Sequence, residues 1–88
     1  MDADKLEISR KKLRFRSWHR GTKEMDTLLG SFADRHLPGF SAQQLDRYET
    51  LLQNSDPDLY NWISGREAVP EPHDHDVMAL LKTFRIKT

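Results

Sequence analysis

The stretch TKEMDTLLGSFADRH, residues 22–36, carries the clearest helical pattern in the chain. Its mainly apolar side chains recur every three or four residues, as on one face of an α-helix: Met25, Leu28, Leu29, Phe32, Ala33 and His36. Thr22 precedes this stripe as an N-cap, and the acidic residues Glu24 and Asp26 suit the positive end of the helix dipole. The stretch therefore predicts an amphipathic helix that ends before the Pro-Gly pair at 38–39.

The segment before this stretch predicts a basic amphipathic helix over about residues 5–19. Its apolar residues recur near helical spacing: Leu6, Leu13, Phe15 and Trp18. Because so small a domain has a thin core, we expect the two aromatic residues of this helix to be part of it. Gly21 follows as the left-handed residue that caps the helix.

Two further helices are predicted in the middle of the chain. Ser41 and Gln44 match the S-x-x-Q pattern of a capping box and begin the third helix, ahead of the apolar residues Leu45, Tyr48, Leu51 and Leu52. Asp56 is expected to be the N-cap of the fourth helix, with Pro57 at its first helical position. Gly65 is expected to end that helix.

The fifth helix is predicted over about residues 74–85, after a non-helical link that contains Pro70 and Pro72. It is expected to bury four apolar residues: Val77, Leu80, Leu81 and Phe84. No alternating run of β-branched residues competes with the helices. The predicted fold class is therefore all-α, a small antiparallel five-helix bundle, in one domain over residues 1–88 with its ordered core at about 6–85.

The composition excludes several classes of protein. The 88 residues include no cysteine, which rules out disulfides, thiol catalysis and cysteine metal sites. Hydrophobic residues make up 36% of the chain and charged residues 32%, and no apolar run approaches the ~20 residues of a membrane span. The sequence therefore predicts a water-soluble domain that stays in the compartment where it is made.

The formal net charge of the chain is zero, but the charged residues are unevenly distributed. Residues 1–23 contain eight Lys or Arg and three acids, whereas residues 24–76 contain three arginines and eleven acids. Residues 77–88 add three bases and no acid. Such a basic segment either meets an acidic surface of its own fold or faces a partner.

The sequence offers few groups for catalysis. It contains neither a phosphate-binding glycine loop nor a plausible Ser-His-Asp arrangement. The run His-Asp-His-Asp at 73–76 has metal-ligand chemistry, but adjacent side chains diverge, so we interpret it as an acidic helix start and expect no metal. His36 is interpreted as a half-buried structural histidine. The basic run at 10–16, together with Phe15 or Trp18, leaves an alternative function open, a basic-helix adaptor that binds nucleic acid or an acidic protein surface.

A dense polar cluster lies at the junction of the first two helices, at residues 18–26. On a structural interpretation, Gly21 caps one helix and Arg20 pairs with Glu24 on the surface for a fraction of a kcal/mol. On a functional interpretation, Gly21 allows another protein's backbone to approach closely, between Arg20 as a donor and Glu24 as an acceptor. The residues by themselves leave both open.

Two motifs resemble the FAD assembly factor family of succinate dehydrogenase. The first is Arg20-Gly21-x-x-Glu24-Met25-Asp26, and the second is the stretch DPDLYNWI at 56–63. Phe32, Leu37 and the pair Leu51-Leu52 lie between them, and the similarity extends from about Leu6 to Phe84. The first motif is a weak pattern alone, but its combination with the second motif about thirty residues downstream, in so short a chain, is specific to this family.

The resemblance implies a function and a partner. Family members bind the flavoprotein subunit of succinate dehydrogenase, and in some bacteria that of fumarate reductase, and promote covalent attachment of FAD to a histidine of that subunit. It implies an assembly factor rather than an enzyme, with no cofactor of its own, since the FAD belongs to the partner. The expected partner-binding residues surround the first motif: His19, Arg20, Gly21, Lys23, Glu24 and Asp26.

The second motif is interpreted as structural, because Asp56, Pro57 and Trp62 fit a cap, a first helical turn and a buried face. The segment ahead of the first motif is typical of a bacterial member. A cytoplasmic location is therefore expected, or the mitochondrial matrix for a processed eukaryotic form.

Overall fold

The computed structural model describes residues 3–84, which form an all-α bundle, as predicted. Its helices are α1 (Ala3–Trp18), α2 (Lys23–His36), α3 (Ala42–Leu52), α4 (Asp56–Ser64) and α5 (Asp76–Phe84). Two single 3-10 turns, Leu37–Gly39 and Glu71–His73, lie before α3 and before α5. None of the helices in 3–84 is long and apolar enough to cross a membrane.

Local capping chemistry begins and ends the helices in the middle of the chain. The Thr22 hydroxyl accepts the amide of Met25 at the start of α2. At the start of α3, Ser41 and Gln44 form both hydrogen bonds of the predicted capping box. Gly65 ends α4 with φ +86°, a left-handed conformation that favours glycine. These predictions are confirmed.

The N-cap of α4 is one residue earlier than predicted. Ser55 is the N-cap, because its hydroxyl accepts the amide of Asp58 at 3.3 Å. Asp56 is therefore the first helical residue and Pro57 the second. The Asp56 carboxylate does not cap the helix and contacts Arg20.

The core lies where α2 and α3 meet the other helices, and its largest fully buried side chains include Phe32, Leu29 and Tyr48. The Tyr48 hydroxyl lies 2.6 Å from the Ser17 hydroxyl, which itself donates to the carbonyl of Leu13. Burial raises the pKa of Tyr48 well above its usual value. This buried network joins α3 to α1 without leaving the phenol unpaired.

The prediction that Phe15 and Trp18 belong to the core is wrong. Helix α1 packs through Leu13 and Ser17, which are 3% and 0% exposed. Phe15 is two residues after Leu13, which places it about 200° around the helix axis from Leu13. Its side chain therefore points away from the bundle and is 63% exposed. Trp18 is 36% exposed.

The basic residues of α1 partly meet the acidic part of the fold. Arg10 donates to the carbonyls of Leu37 and Phe40 at 2.9 and 2.8 Å. Arg14 and Arg16 form longer, half-exposed ion pairs with acids of α2 and α3, at 3.9 and 3.6 Å. Two arginines of α1 therefore pair with acids of other helices in the described part of the chain.

Helix α5 begins later than predicted, at Asp76 rather than at residue 74, because a ring nitrogen of His75 accepts the amide of Met78. The link with the two prolines is not wholly irregular, since it contains the 3-10 turn Glu71–His73. Val77 and Leu81 are fully buried as expected, whereas Leu80 and Phe84 are only partly buried. The predicted last residue of this helix, Arg85, lies outside the described residues.

Candidate functional site

The connection between α1 and α2 is short and exposes Gly21. This glycine has φ +124°, a conformation that side-chain-bearing residues rarely adopt. A Cβ built on it would meet no atom of the described chain within 4 Å, apart from its immediate neighbours. Because α1 already ends at Trp18, Gly21 shapes the turn between the helices and does not cap α1 directly. The backbone here is open to close approach.

Arg20 points into the protein, and its side chain is only 13% exposed. Its Nε donates to the Asp56 carboxylate at 2.8 Å. Its Nη1 and Nη2 donate to the carbonyls of Leu52 and Asn54 at 2.6 and 2.7 Å. The expectation that Arg20 is a surface group paired with Glu24 is therefore wrong, because the guanidinium is bound to the α3–α4 connection.

Asp26 also supports the turn from inside. Its Oδ1 accepts the backbone amides of Arg20 and Gly21, at 2.5 and 3.1 Å. An ionised carboxylate that accepts two adjacent amides holds that backbone in one conformation. Arg20 and Asp26 thus fix the turn, and their predicted contact with a partner remains a prediction.

The other predicted binding residues face solvent. Lys23 and Glu24 are exposed in the first turn of α2. His19 is also exposed, and its ring stacks on Phe15 with centroids 3.9 Å apart. One ring nitrogen of His19 lies 2.7 Å from the carbonyl of Phe15. Hence His19, Gly21, Lys23 and Glu24 are the members of the predicted set that are available for contact.

The structure extends this exposed surface along α1. A shallow depression of about 380 Å³ lies next to the turn and is lined by Lys11, Arg14, Phe15, Trp18 and His19. Exposed aromatic and arginine side chains are enriched where proteins bind partners. The sequence pattern does not reveal this surface, because aromatic residues of so small a domain are expected in the core, whereas Phe15 and Trp18 lie outside it.

Gly30 is a further functional candidate that the helical pattern alone does not single out. The indole of Trp18 lies directly over it, and a Cβ at this position would come within 2.1 to 2.5 Å of the ring. The Nε1 of Trp18 donates to the carboxylate of Asp34 at 3.3 Å, and Asp34 lies on α2, as Gly30 does. A glycine inside an otherwise regular helical pattern signals such a close approach. The absence of a side chain at Gly30 therefore allows the indole of Trp18 to pack against α2 beside the exposed surface.

The remaining histidines have structural surroundings. His36 is half-buried among the rings of Phe32, Phe40 and Phe84, and burial followed by the charge of Arg35 lowers its pKa. This agrees with the predicted structural histidine.

The run at 73–76 is divided among different contacts. His73 packs on the ring of Trp62, His75 caps α5, and Asp76 pairs with Arg47 at 2.8 Å. Within residues 3–84, no group of three or more His, Cys, Asp or Glu is arranged to hold a metal ion.

Comparison with known proteins places the chain in a family. Residues 11–85 match the family model described as flavinator of succinate dehydrogenase. The chain is 41% identical over 81 residues to a mitochondrial succinate dehydrogenase assembly factor 2 of Dictyostelium discoideum, covering 92% of this chain and 57% of that protein. It is 40% identical over 68 residues to the FAD assembly factor SdhE of Acetobacter pasteurianus, covering 77% of this chain and 62% of that protein.

The insect relatives give the same result. The chain is 38% identical over 79 residues to a mitochondrial succinate dehydrogenase assembly factor 2-A of Drosophila yakuba, covering 88% of this chain and 49% of that protein. The chain thus spans about half to three-fifths of the length of these relatives. Because the family model matches most of the chain, including both motifs, the protein belongs to the family of flavinators of succinate dehydrogenase.

Proposed function

We propose that this chain is an assembly factor that binds the flavoprotein subunit of succinate dehydrogenase and promotes covalent attachment of FAD to it. Family membership supports the process, since relatives are named as assembly factors of succinate dehydrogenase or of FAD. The observation that carries the proposal is the exposed Gly21 turn, held rigid by Arg20 and Asp26. A rigid and open turn can bind a partner at a small cost in conformational entropy.

On this proposal the chain acts by binding and supplies no catalytic residue. Covalent attachment needs the flavin's 8α-methyl group held against a histidine of the flavoprotein, with negative charge on the ring stabilised. Those groups belong to the partner and its FAD. A helper that prefers the conformer with this geometry raises its population by differential affinity, and it needs no cofactor of its own.

The exposed residues suggest how such a partner would be held. Gly21 would admit the partner's backbone, and Lys23 and Glu24 would offer one cation and one anion beside it. The stacked rings of Phe15 and His19 would supply an apolar contact on the α1 side. The contact would therefore combine an apolar patch with a polar edge, as is common in protein interfaces.

The proposal is tested by co-expressing the chain with the flavoprotein subunit in cells that lack their own factor. We expect in-gel fluorescence of covalent flavin on that subunit, and recovery of the subunit when this chain is used as bait. A bait that recovers nucleic acid instead would favour the basic-helix adaptor. The flavoprotein subunit of fumarate reductase is tested as a second candidate partner in the same assay.

The predicted cytoplasmic location remains a prediction, since bacterial and mitochondrial proteins both occur among the relatives.

Gly21→Arg is expected to leave a folded protein that no longer binds the flavoprotein. The positive φ makes any side chain unfavourable by about 1 kcal/mol, whereas the free space around the position avoids a clash. An arginine side chain would nevertheless occupy the space through which a partner approaches. Circular dichroism measures the fold and a pull-down measures binding.

Gly21→Ala is the matched control, because it has the same backbone strain and little added bulk. It should retain more binding than Gly21→Arg at a similar melting temperature. Normal binding by Gly21→Arg would show that the turn is not the contact surface.

Glu24→Ala is expected to reduce covalent flavinylation with little change in stability. Glu24 is exposed, and an exposed charge contributes less than about 1 kcal/mol to folding. A charge desolvated against a partner costs about 2 to 5 kcal/mol when its mate is lost. The readouts are covalent flavin at equal protein levels and the melting temperature. Glu67→Ala, an exposed glutamate in the link after α4, serves as the control. Equal flavin signals for both variants would remove Glu24 from the site.

A further inference from the structure

The second sequence motif contacts the first motif directly. Asp56, at the start of α4, lies 36 residues from Arg20, and the two side chains form an ion pair at 2.8 Å. The two side chains are 21% and 13% exposed, so the pair is largely shielded from water. The second motif is therefore more than a helix start, because its first residue contacts the turn that carries Gly21.

The contacts of Arg20 and its neighbour fix the turn from two sides. On one side, Asp56 and the carbonyls of Leu52 and Asn54 hold the guanidinium. On the other side, Asp26 of α2 holds the backbone amides of residues 20 and 21. Both anchors act on residue 20 or residue 21. Each one removes conformational freedom of the turn that binding would otherwise have to remove.

We propose that Asp56 is a positioning residue of the partner-binding turn, acting through Arg20 without touching the partner. This inference rests on the proposed function. Among the described contacts, the Arg20 guanidinium has one anionic acceptor, the Asp56 carboxylate, and two neutral carbonyl acceptors. Without that carboxylate, only the two neutral acceptors remain. Because hydrogen bonds to charged groups are the stronger ones, the turn then samples other conformations. The binding-competent fraction falls, and the apparent affinity falls with it.

A purely stabilising role for Asp56 predicts a different result. In that case its loss lowers the melting temperature and affects binding only as far as it unfolds the protein. A positioning role predicts weaker binding at temperatures at which every variant is folded. The comparison therefore needs one control matched in charge and another matched in stability.

The experiment measures the affinity of the purified chain for the flavoprotein subunit at 20 °C. Asp58→Ala is the charge control, since Asp58 is exposed in the first turn of the same helix. Ile63→Val is the stability control, since it removes one buried methylene from α4. We expect Asp56→Ala to bind at least tenfold more weakly than the natural chain, with both controls within about twofold. If Asp56→Ala does not fold, Asp56→Asn takes its place, because it keeps one acceptor oxygen but removes the charge.

Amide hydrogen exchange at Gly21 in the free protein gives a readout of the turn itself. We expect faster exchange at this amide in Asp56→Ala than in Ile63→Val. Binding by Asp56→Ala equal to that of Ile63→Val, or unchanged exchange at Gly21, would overturn the positioning role alone. Failure of the natural chain to bind the flavoprotein would overturn the proposed function, and this inference with it.

Discussion

Trp62→Ala is expected to lower the free energy of unfolding by about 3 to 5 kcal/mol, the cost of truncating a large buried aromatic residue. Trp62 is 7% exposed, and its ring lies 5.4 Å from the ring of His73 across the link to α5. A domain of this size has a total stability of roughly 5 to 10 kcal/mol, so the loss would be severe. Urea unfolding followed by circular dichroism measures it.

Tyr60→Ala is the matched control, because Tyr60 lies on the same helix but is 46% exposed. It should change the stability by less than about 1 kcal/mol. Any loss of flavinylation in Trp62→Ala should follow the loss of fold. A well-folded Trp62→Ala protein that fails only in binding would instead assign Trp62 to the contact surface.

Arg20→Ala is expected to lower the free energy of unfolding by about 2 to 4 kcal/mol and to reduce flavinylation as well. The substitution removes three hydrogen bonds and leaves the Asp56 carboxylate and two carbonyls without their donor. Partial exposure to water keeps the loss below that of a fully buried ion pair. Thermal unfolding of the purified protein and covalent flavin at equal protein levels are the two measurements.

A double-mutant cycle separates the ion pair from the rest of this effect. Arg20→Ala, Asp56→Ala and the double variant should show a coupling free energy of about 1 to 3 kcal/mol, because the two groups share one contact. A melting temperature of Arg20→Ala equal to that of the natural chain would contradict the buried placement of this arginine. It would then be a surface group, as the sequence alone had indicated.

The results expected for Arg20 and Glu24 distinguish two kinds of residue in the first motif. Arg20 should affect stability and activity together, since it holds the turn from inside. Glu24 should affect activity alone, since it is exposed. Gly21 lies between them and provides the open backbone. On the proposed function, one short motif thus contains groups that build the surface and groups that are expected to contact the partner.

The sequence alone predicted the helices, the capping box at Ser41 and the left-handed Gly65, and each was confirmed. These features depend on residues within about four positions of one another, where hydrogen-bond geometry leaves few alternatives. The buried stripe of α2 was predicted equally well, because helical spacing determines which side chains share a face. The two motifs also indicated the family that the comparison confirmed.

Only the tertiary structure decided which face of α1 is buried and where Arg20 points. The apolar residues of α1 do not define a single stripe, and packing through Leu13 and Ser17 leaves Phe15 in solvent. The partner of Arg20 lies 36 residues away, and no local pattern encodes that contact. Such a contact depends on how α3 and α4 are oriented against α1, because a guanidinium hydrogen bond forms only within a narrow range of distances and angles. Helix faces and caps are thus determined locally, whereas contacts between distant segments depend on the packing of the whole bundle.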